Sequence, residues 1–160
     1  MKVEIERKFL LASDGWRKFV ELSVYIRDGL IAVSDERKTR VRIIGDCATL
    51  TVKTKRVAGS RFEFEYDIPL QDAERMLESC ESNITSKHRH YVTHGGLLWE
   101  IDEYEGQLKG VVLAEVELTA IDQPLDIPPW IGHEVTAEAP YRKLNMLQAR
   151  KKGIKQEKPE

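Results

Sequence analysis

The chain has 160 residues, which suits one domain with a real core and leaves a second one cramped. A formal net charge of -2 argues against a generic nucleic-acid surface, because there is no basic excess to drive counterion release unless the bases gather in one cleft. No stretch is long and apolar enough for a membrane helix, no apolar segment follows the charged N-terminus, and Cys47 and Cys80 lack metal-ligand spacing, so the expectation is a cytoplasmic protein with free thiols.

In chain order, residues 2–10 read as a strand with Glu4, Glu6 and Lys8 on one face and Val3, Ile5 and Phe9 on the other. Residues 20–34 read as one or two further strands, with Asp28-Gly29 as a turn signal. Period-two polarity then marks strands at about 38–45, 48–56 and 61–68, joined by turns at Gly45-Asp46 and Ala58-Gly59-Ser60. Between 70 and 81 the period changes: Leu70, Ala73, Met76, Leu77 and Cys80 form one helical stripe. Strands return at 87–94, 97–104 and 111–119, with Gly95-Gly96 as a hairpin turn. Residues 121–132 form a proline-stiffened connection, a second helix spans about 141–151, and residues 153–160 form a mobile charged tail. His88 and His90 alternate with Lys87 and Arg89 and have no further soft ligand at a metal-binding spacing, so they read as surface or partly covered groups.

The expected fold is therefore an all-β-dominated α+β domain over residues 1–152. About eight antiparallel strands can dispose of their edges by closing into a barrel with flanking helices. The charged faces of those strands carry bases at Lys8, Arg40, Arg42, Lys53, Lys55, Arg61, Lys87 and Arg89. They carry acids at Glu4, Glu6, Glu63, Glu65, Glu100, Asp102, Glu115 and Glu117. Any one such pair is commonly a solvated face or a cross-strand salt bridge. Parity preserved over seven segments points to a charged interior instead, and an interior so charged cannot be a dry core. Convergent cations suit a compact polyanion such as a phosphate chain. Carboxylates opposite them would repel that ligand unless hard divalent cations, Mg²⁺ or Mn²⁺, lay between.

These segments resemble the CYTH family, the triphosphate tunnel metalloenzymes, from residue 2 to about residue 150. The resemblance is carried by VEIERKF, RVRI, LTVKTK, RFEFEYDIP, the K-x-R of SKHRH, WEIDEYEG, AEVEL and IGHEVT, in the family's order. It implies an eight-stranded tunnel and metal-dependent chemistry on a triphosphate. It further implies that Glu4, Glu6 and Glu117 hold a metal, with Glu115 assisting a second metal or the water. Lys8, Arg40, Arg42, Lys53, Arg61, Lys87 and Arg89 would grip phosphates, with Lys55 and Lys143 at the margin of that set. Glu63, Glu65, Glu100 and Asp102 would support the charge balance. The short N-terminal ERKF form resembles the branch that cleaves inorganic tripolyphosphate to pyrophosphate and phosphate. Adenylate cyclase, nucleoside or thiamine triphosphatase and a non-catalytic triphosphate-binding module remain open alternatives; Trp16, Tyr25 and Trp99 are the aromatics a base would need. The implied partner is a small-molecule triphosphate, with no nucleic acid and no membrane, and a homodimer is compatible with an edge or with helix 70–81. Departures from the family pattern are Arg27-Asp28-Gly29-Leu30 in place of Q-G-Y-L, Thr54 in place of glycine, and Arg142-Lys143 after Tyr141.

Overall fold

The computed structural model describes residues 2–153, so the tail expected at 153–160 lies, beyond Gly153, outside the described residues. Ten strands form one antiparallel sheet: β1 (Lys2–Glu4), β2 (Glu6–Leu11), β3 (Leu22–Ser34), β4 (Arg37–Ile44), β5 (Cys47–Lys53), β6 (Arg61–Asp67), β7 (Ile84–His94), β8 (Leu97–Glu105), β9 (Val112–Glu117) and β10 (Ile131–Glu134). Two helices accompany them, α1 (Leu70–Ser79) and α2 (Lys143–Lys151), and none of the described helices is long and apolar enough to cross a membrane.

The strand order β1-β6-β5-β4-β3-β7-β8-β9-β2-β10 corrects the expected closed eight-stranded barrel. The N-terminal strand divides at Ile5. Its first half pairs with β6 and its second half with β9, so one short segment stands near both ends of the order. The Ile5 carbonyl already keeps step with β9, accepting the Leu118 amide at 2.8 Å one pair beyond Glu6 and Glu117. The ends are thus joined through the chain rather than by a continuous ladder. β10, which begins inside the connection expected at 121–132 and was not expected as a strand, then adds to β2 as an edge strand.

Alternation gives these strands an apolar outer face and a charged inner one. Val41 and Ile43 on β4 pack outward with Ala48 of β5 against Ala73 and Leu77 of α1, while Arg40 and Arg42 point inward. Outward residues of β2, β7, β8 and β9, including Phe9, Val92, Trp99, Ile101 and Val116, are sealed by Trp16 and Trp130 from the flanking loops. At one end the inner face turns apolar: Leu10, Tyr104 and Leu113 meet Tyr141, Met146 and Leu147, so α2 and the turn before it plug that end.

The expected turn at Asp28-Gly29 is a second correction, because β3 runs unbroken through both residues. Gly29 is there for close approach. A Cβ on it would lie 2.6 Å from Cys80 Sγ and 2.9 Å from a Leu77 methyl, so any side chain would push α1 off the strand. Beside it, Asp28 is buried facing Arg42. A register shift between Leu30 and Ala32 bends the strand beyond this point. The Gly95-Gly96 hairpin forms as expected, both residues having positive φ (59° and 73°).

Candidate functional site

The inner faces enclose a cavity of about 240 Å³ lined by ten cationic side chains, seven glutamates, Leu30 and Tyr104. Cross-strand register decides who meets whom. Lys8 lies opposite Glu115 and reaches it at 2.9 Å, and Glu4, opposite Arg61, takes a hydrogen bond from that guanidinium. Lys53, opposite Glu63, bridges Glu63 at 2.6 Å and also bonds Glu4. Arg89 lies opposite Asp102 and donates to both its oxygens, at 2.7 and 2.8 Å, while reaching Glu100 and, at 3.5 Å, Glu115. Lys87 donates to the same Asp102.

Burial and charge move the titrations of these groups. Burial alone would raise Glu4, but Lys53 and Arg61 bring it down to about 2. Glu115, likewise raised by burial, is held well below the usual range by Lys8 and Arg89. Glu6 goes the other way: burial raises it, and the neighbouring Glu115 and Glu4 raise it further. Its cationic contact is a long one, Arg56 at 3.8 Å. Burial and the adjacent Arg89 lower Lys87 to about 7 despite Asp102. Arg40 is lowered by burial and by Arg42, and its Nε is buried with no hydrogen-bond partner among the described residues.

The structure brings together fourteen of the sixteen charges read from alternation as cavity-lining groups. Asp102 sits just behind the wall, fully buried between Lys87 and Arg89. Lys55 lies outside: β5 ends at Lys53, and the Lys55 ammonium turns to the surface to pair with Asp35 at 3.0 Å. Four groups were not read as members of the interior. Lys2 pairs with Glu117 at the rim. Lys38 continues the inward parity of Arg40 and Arg42, a signal present in K-x-R-x-R. Asp28 holds Arg42 through two hydrogen bonds at 2.7 and 2.9 Å, hidden in the sequence by its turn-like Asp-Gly pair. Arg56, past the end of β5, leans back over Glu4 at 3.4 Å. Lys143, marginal on sequence, enters the cavity from α2 and bonds Asp28 at 2.8 Å. The tempting aromatics are elsewhere. Trp16 and Trp99 belong to the outer core, and Tyr25, exposed, meets the His88 ring at a tilt. Cys47 and Cys80 are free thiols.

Among the described residues no three His, Cys, Asp or Glu side chains stand close enough to form a ready-made metal cluster. The donor set nevertheless fits a hard divalent ion. Glu4, Glu6, Glu115 and Glu117 all face the cavity, and Glu6 is a half-buried carboxylate repelled by Glu115 and Glu4, an effect that Lys8 and Lys53 only partly offset. Glu4 would have to release part of its hold on Lys53 and Arg61 to join such an ion.

The chain is 36% identical over 157 residues to an inorganic triphosphatase of Acetivibrio thermocellus, a match covering 98% of this chain and all of that one. It is 34% identical over 146 residues to an inorganic triphosphatase of Nitrosomonas europaea, covering 87% of this chain and 93% of that protein. The crystal structure of the inorganic triphosphatase NE1496 superposes with a TM-score of 0.65 at 31% identity, over 92% of this chain and 95% of the other. Residues 2–151 match the family model of the CYTH domain. Charged strand faces, the tunnel-like cavity they enclose and these likenesses agree, and the chain belongs to the CYTH domain family.

Proposed function

We propose that the chain is a metal-dependent triphosphatase, that residues 1–152 act as one catalytic unit, and that its substrate is inorganic tripolyphosphate, cleaved to pyrophosphate and phosphate. The observation that carries the substrate choice is the cavity wall: ten cations and seven carboxylates against a single aromatic, Tyr104, which is itself packed into the apolar plug with Tyr141, Met146 and Leu147. Its volume of about 240 Å³ lies below the roughly 300–1,000 Å³ of sites that bury drug-sized ligands, which favours a bare phosphate chain over a nucleotide.

Arg40, Arg42, Lys53, Arg61, Lys87 and Arg89 would bind the phosphate oxygens. Arg40 has a buried Nε free to donate, and Arg42 is fixed by Asp28 before any ligand arrives. Fixed donors of this kind stabilise charge without reorganising at the moment of reaction. Glu4, Glu6 and Glu117 would hold Mg²⁺ or Mn²⁺, with Glu115 assisting. Such an ion, when bound, neutralises phosphate charge and lowers the pKa of a bound water. Lys8, ion-paired with Glu115, keeps that carboxylate deprotonated and able to orient a water by accepting its hydrogen. In the reaction the water oxygen bonds to a terminal phosphorus as the bridging P–O bond breaks. Pyrophosphate leaves with the bridging oxygen, and the water proton is lost to solvent or the leaving group.

Phosphate release from tripolyphosphate, ATP and thiamine triphosphate, each with Mg²⁺, Mn²⁺ and excess chelator, tests the reading. Metal-dependent release that is fastest from tripolyphosphate supports it. Cyclic AMP formed from ATP would move the assignment to a cyclase. Tight binding without turnover would make the chain a triphosphate-binding module.

A further inference from the structure

The ten cations of the cavity are not equivalent. Lys2, Lys8, Arg42, Lys53, Arg61 and Lys143 each have a carboxylate partner. Arg40, Lys87 and Arg89 do too. Lys38 lines the same wall and its side chain has no hydrogen bond or ion pair to any described residue, while sitting directly across the β4–β5 ladder from Lys53. Like charges facing one another across a ladder are destabilising. The strongest charge effects on Lys38 come from cations, Arg61 of β6, Lys8 of β2, Lys143 of α2 and Lys53 of β5, while the carboxylates that share its wall, Glu4, Glu63 and Glu65, are engaged by Lys53, Arg61 and Arg40. Nothing in the fold explains a cation there, and an anion would.

Lys38 also ends a row. Alternation puts Lys38, Arg40 and Arg42 on the inward face of β4, with Lys38 nearest the β3–β4 hairpin. Arg42 at the inner end is held by Asp28, Arg40 is tied only to Thr51 and at 3.7 Å to Glu65, and Lys38 to nothing. Compensation therefore falls along the row towards the hairpin. A phosphate chain laid along it carries its greatest charge at a terminal phosphate, which has three non-bridging oxygens and close to two negative charges at neutral pH.

We propose that Lys38 is the substrate-binding residue for a terminal phosphate of the triphosphate, and that its uncompensated charge contributes to the preference for a chain with a free end there. The inference rests on the triphosphate reading above. Burial and the four surrounding cations bring free Lys38 down to about 8. A phosphate arriving beside it restores the proton, so above that pH binding takes protons up. Lys87, lowered to about 7, can contribute uptake of its own, and the difference between wild type and a Lys38 variant isolates this residue.

The test is calorimetry of tripolyphosphate binding to the full chain without divalent metal, in two buffers of different ionisation enthalpy. It is run at about pH 8.5, on wild type, K38M and K38R. K38M is expected to bind about 10- to 100-fold more weakly and to lose part of the proton uptake. K38R, always charged, should keep most of the affinity and lose that same share of uptake. K38M should melt no lower than wild type, since it removes a repelled cation. A K38M affinity within about twofold of wild type, or K38R as weak as K38M, overturns the assignment. The two readings fail separately. Binding through Lys38 with no phosphate released under any divalent cation sinks the hydrolase and leaves Lys38 standing. Turnover by K38M with unchanged KM sinks Lys38 alone.

Discussion

The β7–β8 wall and the β4 wall hold similar cations in opposite states. On β7 and β8, Lys87 and Arg89 share Asp102, and Arg89 also reaches Glu100 and Glu115, so the charge is answered from within. On β4, Arg42 is answered by Asp28, Arg40 keeps an unpartnered buried Nε, and Lys38 has no ion-pair partner among the described residues. Buried charge with an internal partner is a structural commitment, costly to break from one side. Buried charge without one is a demand made on a ligand. The same cavity holds both, and mutations should separate them.

The largest effect should come from the answered wall. Asp102→Ala leaves two buried cations facing one another, and breaking such a pair costs about 3–5 kcal/mol. Urea unfolding should show that loss whether or not substrate is present, and a loss below about 1 kcal/mol would mean that water reaches Lys87 and Arg89. Glu6→Gln should do the reverse. It removes a carboxylate already repelled by Glu115 and Glu4, so stability should hold or rise. If Glu6 is a ligand to the metal, kcat/KM should nonetheless fall by about 100-fold or more, and Mn²⁺ binding followed by electron paramagnetic resonance should weaken.

A smaller effect appears on changing pH. Lys38 and Lys87 have folded values of about 8 and about 7, below the ordinary lysine value of about 10.4, so between those limits the unfolded chain binds more protons. Stability should therefore rise with pH from about 7 towards 10, by a few degrees in Tm, and tripolyphosphate should flatten the rise by restoring the protons. At the acid end the sign is opposite. Glu4, held at about 2, contributes stability that is present above its ordinary value and is lost as pH falls towards 2. Lys87 contributes to the same window, so the share that belongs to β4 is the part of the rise lost in K38M, and a rise equal in wild type and K38M would contradict the reading of β4 as a wall awaiting an anion.

How far the sequence discloses this contrast depends on the range of the interactions. Period-two parity is local, so alternation alone identifies the inward set on β2, β6, β7, β8 and β9 and all but Lys38 of that on β4. It could not show that the N-terminal strand divides at Ile5 to pair with both β6 and β9, because that follows from how the whole sheet curls. Nor could it show that Asp28-Gly29 lies inside a strand. The residues that make a turn cheap are here a buried counter-ion for Arg42 and a contact point for α1, and both partners are remote in sequence. Lys38 was legible, being in phase with Arg40 and Arg42. Its isolation was not, since that depends on which carboxylates other strands supply.

Lys55 sharpens the comparison from outside. It shares parity with Lys53 and stands in the same LTVKTK segment, so a purely periodic reading makes it a phosphate contact. The ladder stops first: β5 ends at Lys53, the Thr54 amide still donates to the Phe62 carbonyl at 3.0 Å, and the next residues leave the sheet for the turn at Val57–Ser60. Alternation loses its meaning once the strand is over, and the Lys55 ammonium pairs with Asp35 in solvent, where such a bridge contributes about 1 kcal/mol or less. Lys55→Ala should therefore leave kcat/KM for tripolyphosphate within about twofold and stability within about 0.5 kcal/mol. Lys53→Ala, two residues earlier, removes the ion-pair partner of Glu63 and one of those of Glu4 and should cost both binding and stability. Steady-state kinetics on the two variants side by side locate the edge of the binding wall, and an equal loss from both would move that edge outward past the end of β5.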